Sequence, residues 1–217
     1  MNKWKESELV RSLVGFFLLF LLFVGLFIFV VPSTHQSSKI ADKIKSIKNE
    51  KVTYVAIGDS LTQGVGDSSN QGGFVPVLSQ ALESDFDWQV TSRNYGIAGN
   101  TSNQILKRMQ EKKDIQRDLK KAKVMTLTVG GNDVIHVIKD NITNLNVDTF
   151  TKPAQAYQKR LGQIIELARK DNKTLPIYIV GIYNPFYLNF PELTVMQNVI
   201  DSWNTATAGV VSQEKNT

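Results

Sequence analysis

No cysteine occurs among the 217 residues, which excludes disulfides, thiol catalysis, cysteine lipidation and every cysteine-based metal site. Histidine is nearly absent: His35 and His136 are the only two. Residues 12–31 (SLVGFFLLFLLFVGLFIFVV) contain no charge at all. The glycine-containing turns lack both a GxGxxG pattern and a Walker lysine, which argues against nucleotide or phosphate binding. A nucleic-acid footprint is lacking too. The net charge is +5, yet residues 52–217 carry 17 basic against 16 acidic residues, so the surplus flanks the uncharged run.

As a helix, the uncharged run 12–31 would measure about 30 Å, the hydrocarbon thickness of a bilayer. It shows no polar face, so a transmembrane signal anchor is expected there. Val31-Pro32-Ser33-Thr34 is a poor cleavage site, so the anchor is expected to stay attached. The organisation that follows is a short tail 1–11, an anchor 12–31, a basic linker or stalk 32–50 and a domain 51–217. Ile40, Ile44 and Ile47 sit at helical spacing among lysines. That segment reads either as a stalk on anionic headgroups or as a solvated linker. The lysines after the run lean toward a cytoplasmic domain; the short tail leans the other way. The expectation is a single-pass protein of the cell membrane with its domain outside.

From Lys51 onward, apolar β-rich runs alternate with amphipathic stretches. Val52–Ile57, Trp88–Tyr95, Val124–Val129 and Ile177–Val180 read as strands. Phe74–Leu82, Ser102–Met109, Asp114–Lys121, a long stretch Phe150–Ala168 and Leu193–Val211 read as helices. The alternation implies βαβ units and a mainly parallel sheet covered on both faces. In such sheets polar function collects at the C-terminal strand ends.

Three clusters fall there. After the first strand comes Gly58-Asp59-Ser60-Leu61-Thr62-Gln63-Gly64, a sharp turn that would present the Ser60 hydroxyl and its own N–H above the sheet. After the second comes Asn94-Tyr95-Gly96-Ile97-Ala98-Gly99-Asn100-Thr101. The Gly99 N–H could be another donor there, and Asn100 or Thr101 a helix cap. After the third comes Gly130-Gly131-Asn132-Asp133, where the Asn132 amide could stabilise negative charge on a carbonyl oxygen. Each alone is an ordinary polar turn.

Together, in this order, they resemble blocks I, II and III of the SGNH/GDSL hydrolase family, nearest its lysophospholipase-like or acylhydrolase branch, over about residues 51–211. The resemblance implies a serine ester hydrolase (esterase, lipase or acylhydrolase) working through an acyl-Ser60 intermediate, which the expected anchor would make membrane-anchored. Ser60 would be the nucleophile. The Ser60 and Gly99 N–H groups with the Asn132 side chain would form the oxyanion hole, and Asp59 would brace the turn. It further implies an α/β fold, a flavodoxin-like three-layer α/β/α sandwich around a five-stranded parallel sheet, here preceded by one transmembrane helix. No cofactor and no metal are expected. The expected partners are an ester substrate (lipid, lysophospholipid or acylated glycan) and a membrane, with no nucleic acid. Phe74 and the aromatic stretch 183–190 are candidates to hold an acyl chain, the latter equally readable as a loop packed on the sheet.

The family's fourth block, an Asp-x-x-His on a loop after the fifth strand, is not found beyond the fourth strand. Asp201 is followed three residues on by Asn204. The last strand, catalytic loop and closing helix are therefore expected to be missing, and the chain as given to be impaired. His136 is expected at an exposed or cleft-rim position, and His35 in solvent. The alternative is a non-catalytic, membrane-tethered lipid- or glycan-binding pseudo-enzyme.

Overall fold

The computed structural model describes residues 50–141, 146–184, 194–214 and 217. Four strands form one parallel sheet: β1 (Glu50–Gly58), β2 (Trp88–Gly96), β3 (Ala122–Thr128) and β4 (Ile177–Val180), in the order β2-β1-β3-β4. The central strand β1 shows why both faces must be covered. Val55 and Ile57 point into one apolar cluster, and Tyr54 and Ala56 into another, all four fully buried. That is the two-residue alternation of a strand, with apolar groups on both sides.

The helices are α1 (Ser60–Gln63), α2 (Phe74–Phe86), α3 (Ser102–Glu111), α4 (Lys113–Lys121), α5 (Gly131–Asp140), α6 (Thr151–Ala168) and α7 (Thr194–Val211), with a 3₁₀ turn at Val147–Phe150. Phe74, Val75, Leu78 and Leu82 of α2 cover the face of Tyr54, Ala56 and Val124. On the other face, Val55, Ile57, Met125 and Leu127 meet Ile105 and Met109 of α3, Leu161, Ile164 and Ile165 of α6, and Trp203 of α7. The buried Tyr54 hydroxyl is paired with Thr126 Oγ1 at 2.7 Å. Tyr157 joins α6 to α7, its ring 5.3 Å from that of Trp203 and its hydroxyl 2.9 Å from Thr207 Oγ1. Burial in this setting pushes the Tyr157 phenol up to about 12.

The expected architecture is corrected in its membrane part. Among the described residues, no helix is long and apolar enough to cross a membrane. Both long helices have 18 residues, but α6 carries Lys152, Lys159, Arg160 and Glu166, and α7 carries Asp201 amid Asn and Gln. Each buries one stripe against the domain and exposes the other. The run 12–31 itself, His35 and the stalk 32–50 lie outside the described residues, except Glu50, which opens β1. Among the described residues the sheet has the four strands read from the sequence. Phe150 closes the 3₁₀ turn and does not begin the long helix, because Asn146 accepts from Thr149 N at 3.0 Å and caps that turn first.

Two substitutions on α6 should separate core packing from helix propensity. Leu161 is fully buried, and Leu161→Ala is expected to lower unfolding free energy by about 2–5 kcal/mol. A methyl at Gly162 would meet nothing within 4 Å, so Gly162→Ala should raise stability by up to about 1 kcal/mol. Urea denaturation of both variants checks the pair.

Candidate active site

β1 is followed by β2 on one side, and the chain then crosses to β3 on the other. The C-terminal ends of β1 and β3 therefore flank the point where the sheet order reverses, where open α/β sheets leave a crevice. Ser60 opens α1 at the first of these ends, and Asn132 lies in the first turn of α5 at the second.

The turn before Ser60 is fixed by buried polar contacts. Thr128, the last residue of β3, donates its hydroxyl to Asp59 Oδ1 at 2.8 Å and accepts the Asp59 N–H at 3.1 Å. Its single proton being used, it accepts from the Thr62 hydroxyl at 2.8 Å. Asp59 Oδ1 also accepts Leu61 N–H at 3.1 Å, capping α1. A Cβ at Gly58 would stand 2.1 Å from Thr128 Oγ1, and one at Gly96 2.2 Å from Gln63 N. Only glycine lets the strand ends and α1 approach this closely. Arg108 of α3 reaches the same ends, donating to Tyr95 O at 3.0 Å and Gly58 O at 3.2 Å. Burial pulls its guanidinium below the ordinary arginine value.

The three loops are stitched together. Ile97 N–H donates to Gly58 O (3.1 Å), Ala98 N–H to Gln63 Oε1 (2.6 Å) and Asn94 Nδ2 to Thr62 O (2.7 Å). Thr101 caps α3, with its N–H returned to Gln104 Oε1 at 2.9 Å. Asn132 Nδ2 donates to Asn100 O at 3.0 Å, which uses one of its two amide protons. Beneath it, buried Asp133 accepts from Ser102 N (2.8 Å), Ser102 Oγ (2.6 Å) and Arg160 (3.1 Å), tying α3, α5 and α6.

Ser60 and Asn132 line one cleft of about 190 Å³. Asp59 and Thr128 sit at its polar end. Its walls are Leu61, then Val134, Ile135 and Ile138 of α5, Val180 and Ile182 after β4, and Met196 and Ile200 of α7. Gly99, at φ 78°, lies on the exposed loop after β2 and not in the cleft lining. Tyr183 lines the cleft, whereas residues 185–190 lie outside the described residues. Phe74 does not approach it: it packs in the layer on the other side of the sheet.

No described histidine lines this cleft. His136 is exposed, and its Nδ1 lies 2.9 Å from Asn132 O, one turn back on α5. A carbonyl only accepts, so Nδ1 carries the proton. Asp133 and His136 do have Asp-x-x-His spacing, but Asp133 is buried against Ser102 and Arg160 while His136 faces outward. They form no dyad. The sequence reading missed Thr128, Arg108 and the wall of α5 and α7. Only the wall had a signal, the helical spacing of residues 134, 135 and 138 and of 196 and 200.

These features define a hydrolase-type α/β site, and the comparison with known proteins agrees. The chain belongs to the GDSL-like Lipase/Acylhydrolase family, whose model matches residues 56–216, and is thus an ester hydrolase of the SGNH/GDSL class. It is 33% identical over 174 residues to the uncharacterized protein YpmR of Bacillus subtilis, covering 79% of this chain and 68% of that protein. It is 29% identical over 156 residues to the spore germination lipase LipC of Bacillus licheniformis, covering 70% and 71%. Among solved structures it resembles the lipase Lip_vut3 from a goat rumen metagenome, with 26% identity, a TM-score of 0.64 and coverage of 71% and 73%.

Thr128→Val keeps the shape and removes the hydroxyl, so Asp59 loses a donor and its N–H an acceptor. The expected cost is about 1–3 kcal/mol, read by denaturation, with Thr128→Ser close to wild type. A second test is acid sensitivity of the loop after α1. Asp67 accepts from the Ser69 hydroxyl and from Gly73, Ser69 and Gln71 N–H groups, which hold its carboxyl well below the ordinary value. A carboxyl depressed by folding contributes fully above its unfolded value and loses that contribution as pH falls through the folded one. The protection factors of the Gln71 and Gly73 amides should therefore fall as pH drops below 3.8, and in Asp67→Asn be low at neutral pH too.

Proposed function

We propose that Ser60 is the nucleophile of this ester hydrolase. The Ser60 hydroxyl oxygen attacks the ester carbonyl, the alcohol leaves, and water hydrolyses the acyl-Ser60 intermediate. The oxyanion is held by the N–H groups of Ser60 and Gly99 and by the second amide proton of Asn132. The observation that carries this reading is the meeting of Ser60 and Asn132 at the polar end of one apolar cleft at the sheet's reversal point. Asp59 acts on the turn and not in proton transfer, since Oδ1 is bonded to Thr128 and Leu61. Substrates are esters with an apolar acyl portion, such as lipids, lysophospholipids or acylated glycans; the relative LipC is named a lipase.

The chain as given acylates slowly, because no described imidazole faces Ser60. An unassisted serine hydroxyl is a poor nucleophile at neutral pH, and losing a triad-type base costs several orders of magnitude. The same observation favours one other reading, a binding module that retains the cleft without turnover. Imidazole added in solution separates the two. In the enzyme reading it accelerates p-nitrophenyl ester hydrolysis and fluorophosphonate labelling, Ser60→Ala abolishes both, and Asn132→Ala slows acylation about 10²–10³-fold. Labelling that ignores imidazole, or survives Ser60→Ala, would leave only the binding module.

A further inference from the structure

The strand-end loops that form the rim beside Ser60 carry exposed aliphatic side chains that the ester chemistry does not need. Leu61 is 38% exposed, Val65 58%, Ile97 44% and Ile135 40%. Backbone hydrogen bonds hold two of them beside the nucleophile turn: Val65 N–H donates to Ser60 O at 2.9 Å, and Ile97 N–H to Gly58 O at 3.1 Å. Leu61 and Ile135 line the cleft itself, so its apolar wall continues outward onto the surface. Aliphatic groups belonging to three different strand-end loops thus lie at the cleft's end of the sheet.

The described loops at this end carry no cation of their own, and the Arg108 guanidinium that reaches them from α3 is engaged by Tyr95 O and Gly58 O. The chain has 25 lysines and arginines, yet none falls in residues 58–73, 96–105, 129–138 or 180–184, the loops at this end of the sheet. The acidic groups there are turned inward or used. Asp59 and Asp133 are buried, and Asp67 accepts the N–H groups of its own loop. A surface that binds an anionic bilayer would need the opposite composition. An apolar patch around a cleft mouth fits a partner that is itself apolar and uncharged.

We propose that this rim docks on a lipid–water interface of no net charge, so that the ester enters the cleft from an aggregate. The inference rests on the ester-hydrolase reading for its choice of partner, but its test does not need turnover. The absence of cysteine makes single-site labelling clean. A polarity-sensitive fluorophore is attached in the full chain to Val65→Cys, to Ile97→Cys and, as control, to Phe86→Cys. Phe86 is 52% exposed but stacks on Trp88 at the opposite, N-terminal end of β2. Each is titrated with phosphatidylcholine vesicles carrying a lipid-borne quencher.

Docking through the rim shifts the two rim labels to the blue and quenches them, leaves the Phe86 label unchanged, and persists at high salt. Equal response of all three labels, no response of the rim labels, or a response seen only with phosphatidylglycerol and abolished by salt overturns it. Rim insertion without any Ser60-dependent ester cleavage even in added imidazole would retain docking and leave the binding-module reading. Cleavage of a soluble ester with silent rim labels would do the reverse.

Discussion

The arrangement at the sheet's C-terminal end depends on one buried hydroxyl, that of Thr128. It exchanges two hydrogen bonds with Asp59 and receives a third from Thr62. These groups are almost wholly removed from water, so each needs its partner within the protein. The set is directional: with one proton on Thr128, the order of donors and acceptors around it is determined. Because Thr128 ends β3 and Asp59 follows β1, the same contacts lock the two strand ends together. Ser60 is then located by the chain geometry of its neighbour, not by contacts of its own side chain.

Outward from that node, successive loops are joined by side chain-to-backbone bonds and not by packing. Gln63 holds Ala98, Asn94 holds Thr62, Asn132 holds Asn100 and Asp133 holds Ser102. Loops are otherwise the parts of a fold with most freedom, so the ordering entropy is met during folding. Donors that are already oriented cost no reorganisation when charge develops. The Asn132 amide illustrates this: the bond to Asn100 O orients its plane and leaves the second proton for a ligand.

The legibility of the sequence follows the range of the forces involved. Strands β1 and β3 were readable because burial on both faces makes continuous apolar runs, β4 by its short apolar run although Tyr178 and Val180 are exposed, and α6 because its stripe repeats at three and four. The polar clusters were readable because parallel topology puts them at strand ends. Long-range pairings were not. Nothing local says that Thr128, 69 residues after Asp59, is its partner, or that Arg108 reaches back to Gly58. Phe74 was misjudged for the same reason. Its periodicity marks a buried stripe but not which face of the sheet that stripe covers, and it covers the face away from the cleft. Hydropathy of 12–31 likewise spoke for an isolated segment, and no described helix carries that property.

The Asp133–His136 pair shows why spacing alone cannot identify a catalytic dyad. On α5 residues three apart are neighbours on the helix surface, yet these two straddle the edge of its buried stripe. Asp133 takes the inward side, where Ser102 and Arg160 occupy its oxygens, and His136 the outward side. A base for Ser60 needs an imidazole over the cleft, with its second nitrogen oriented by a partner. The loops of β1 and β3 bring Ser60 and Asn132 to one cleft without any such group. Positioning the proposed nucleophile and removing its proton are thus separable in this fold. The first rests on the Thr128 node and survives whether or not a base is supplied.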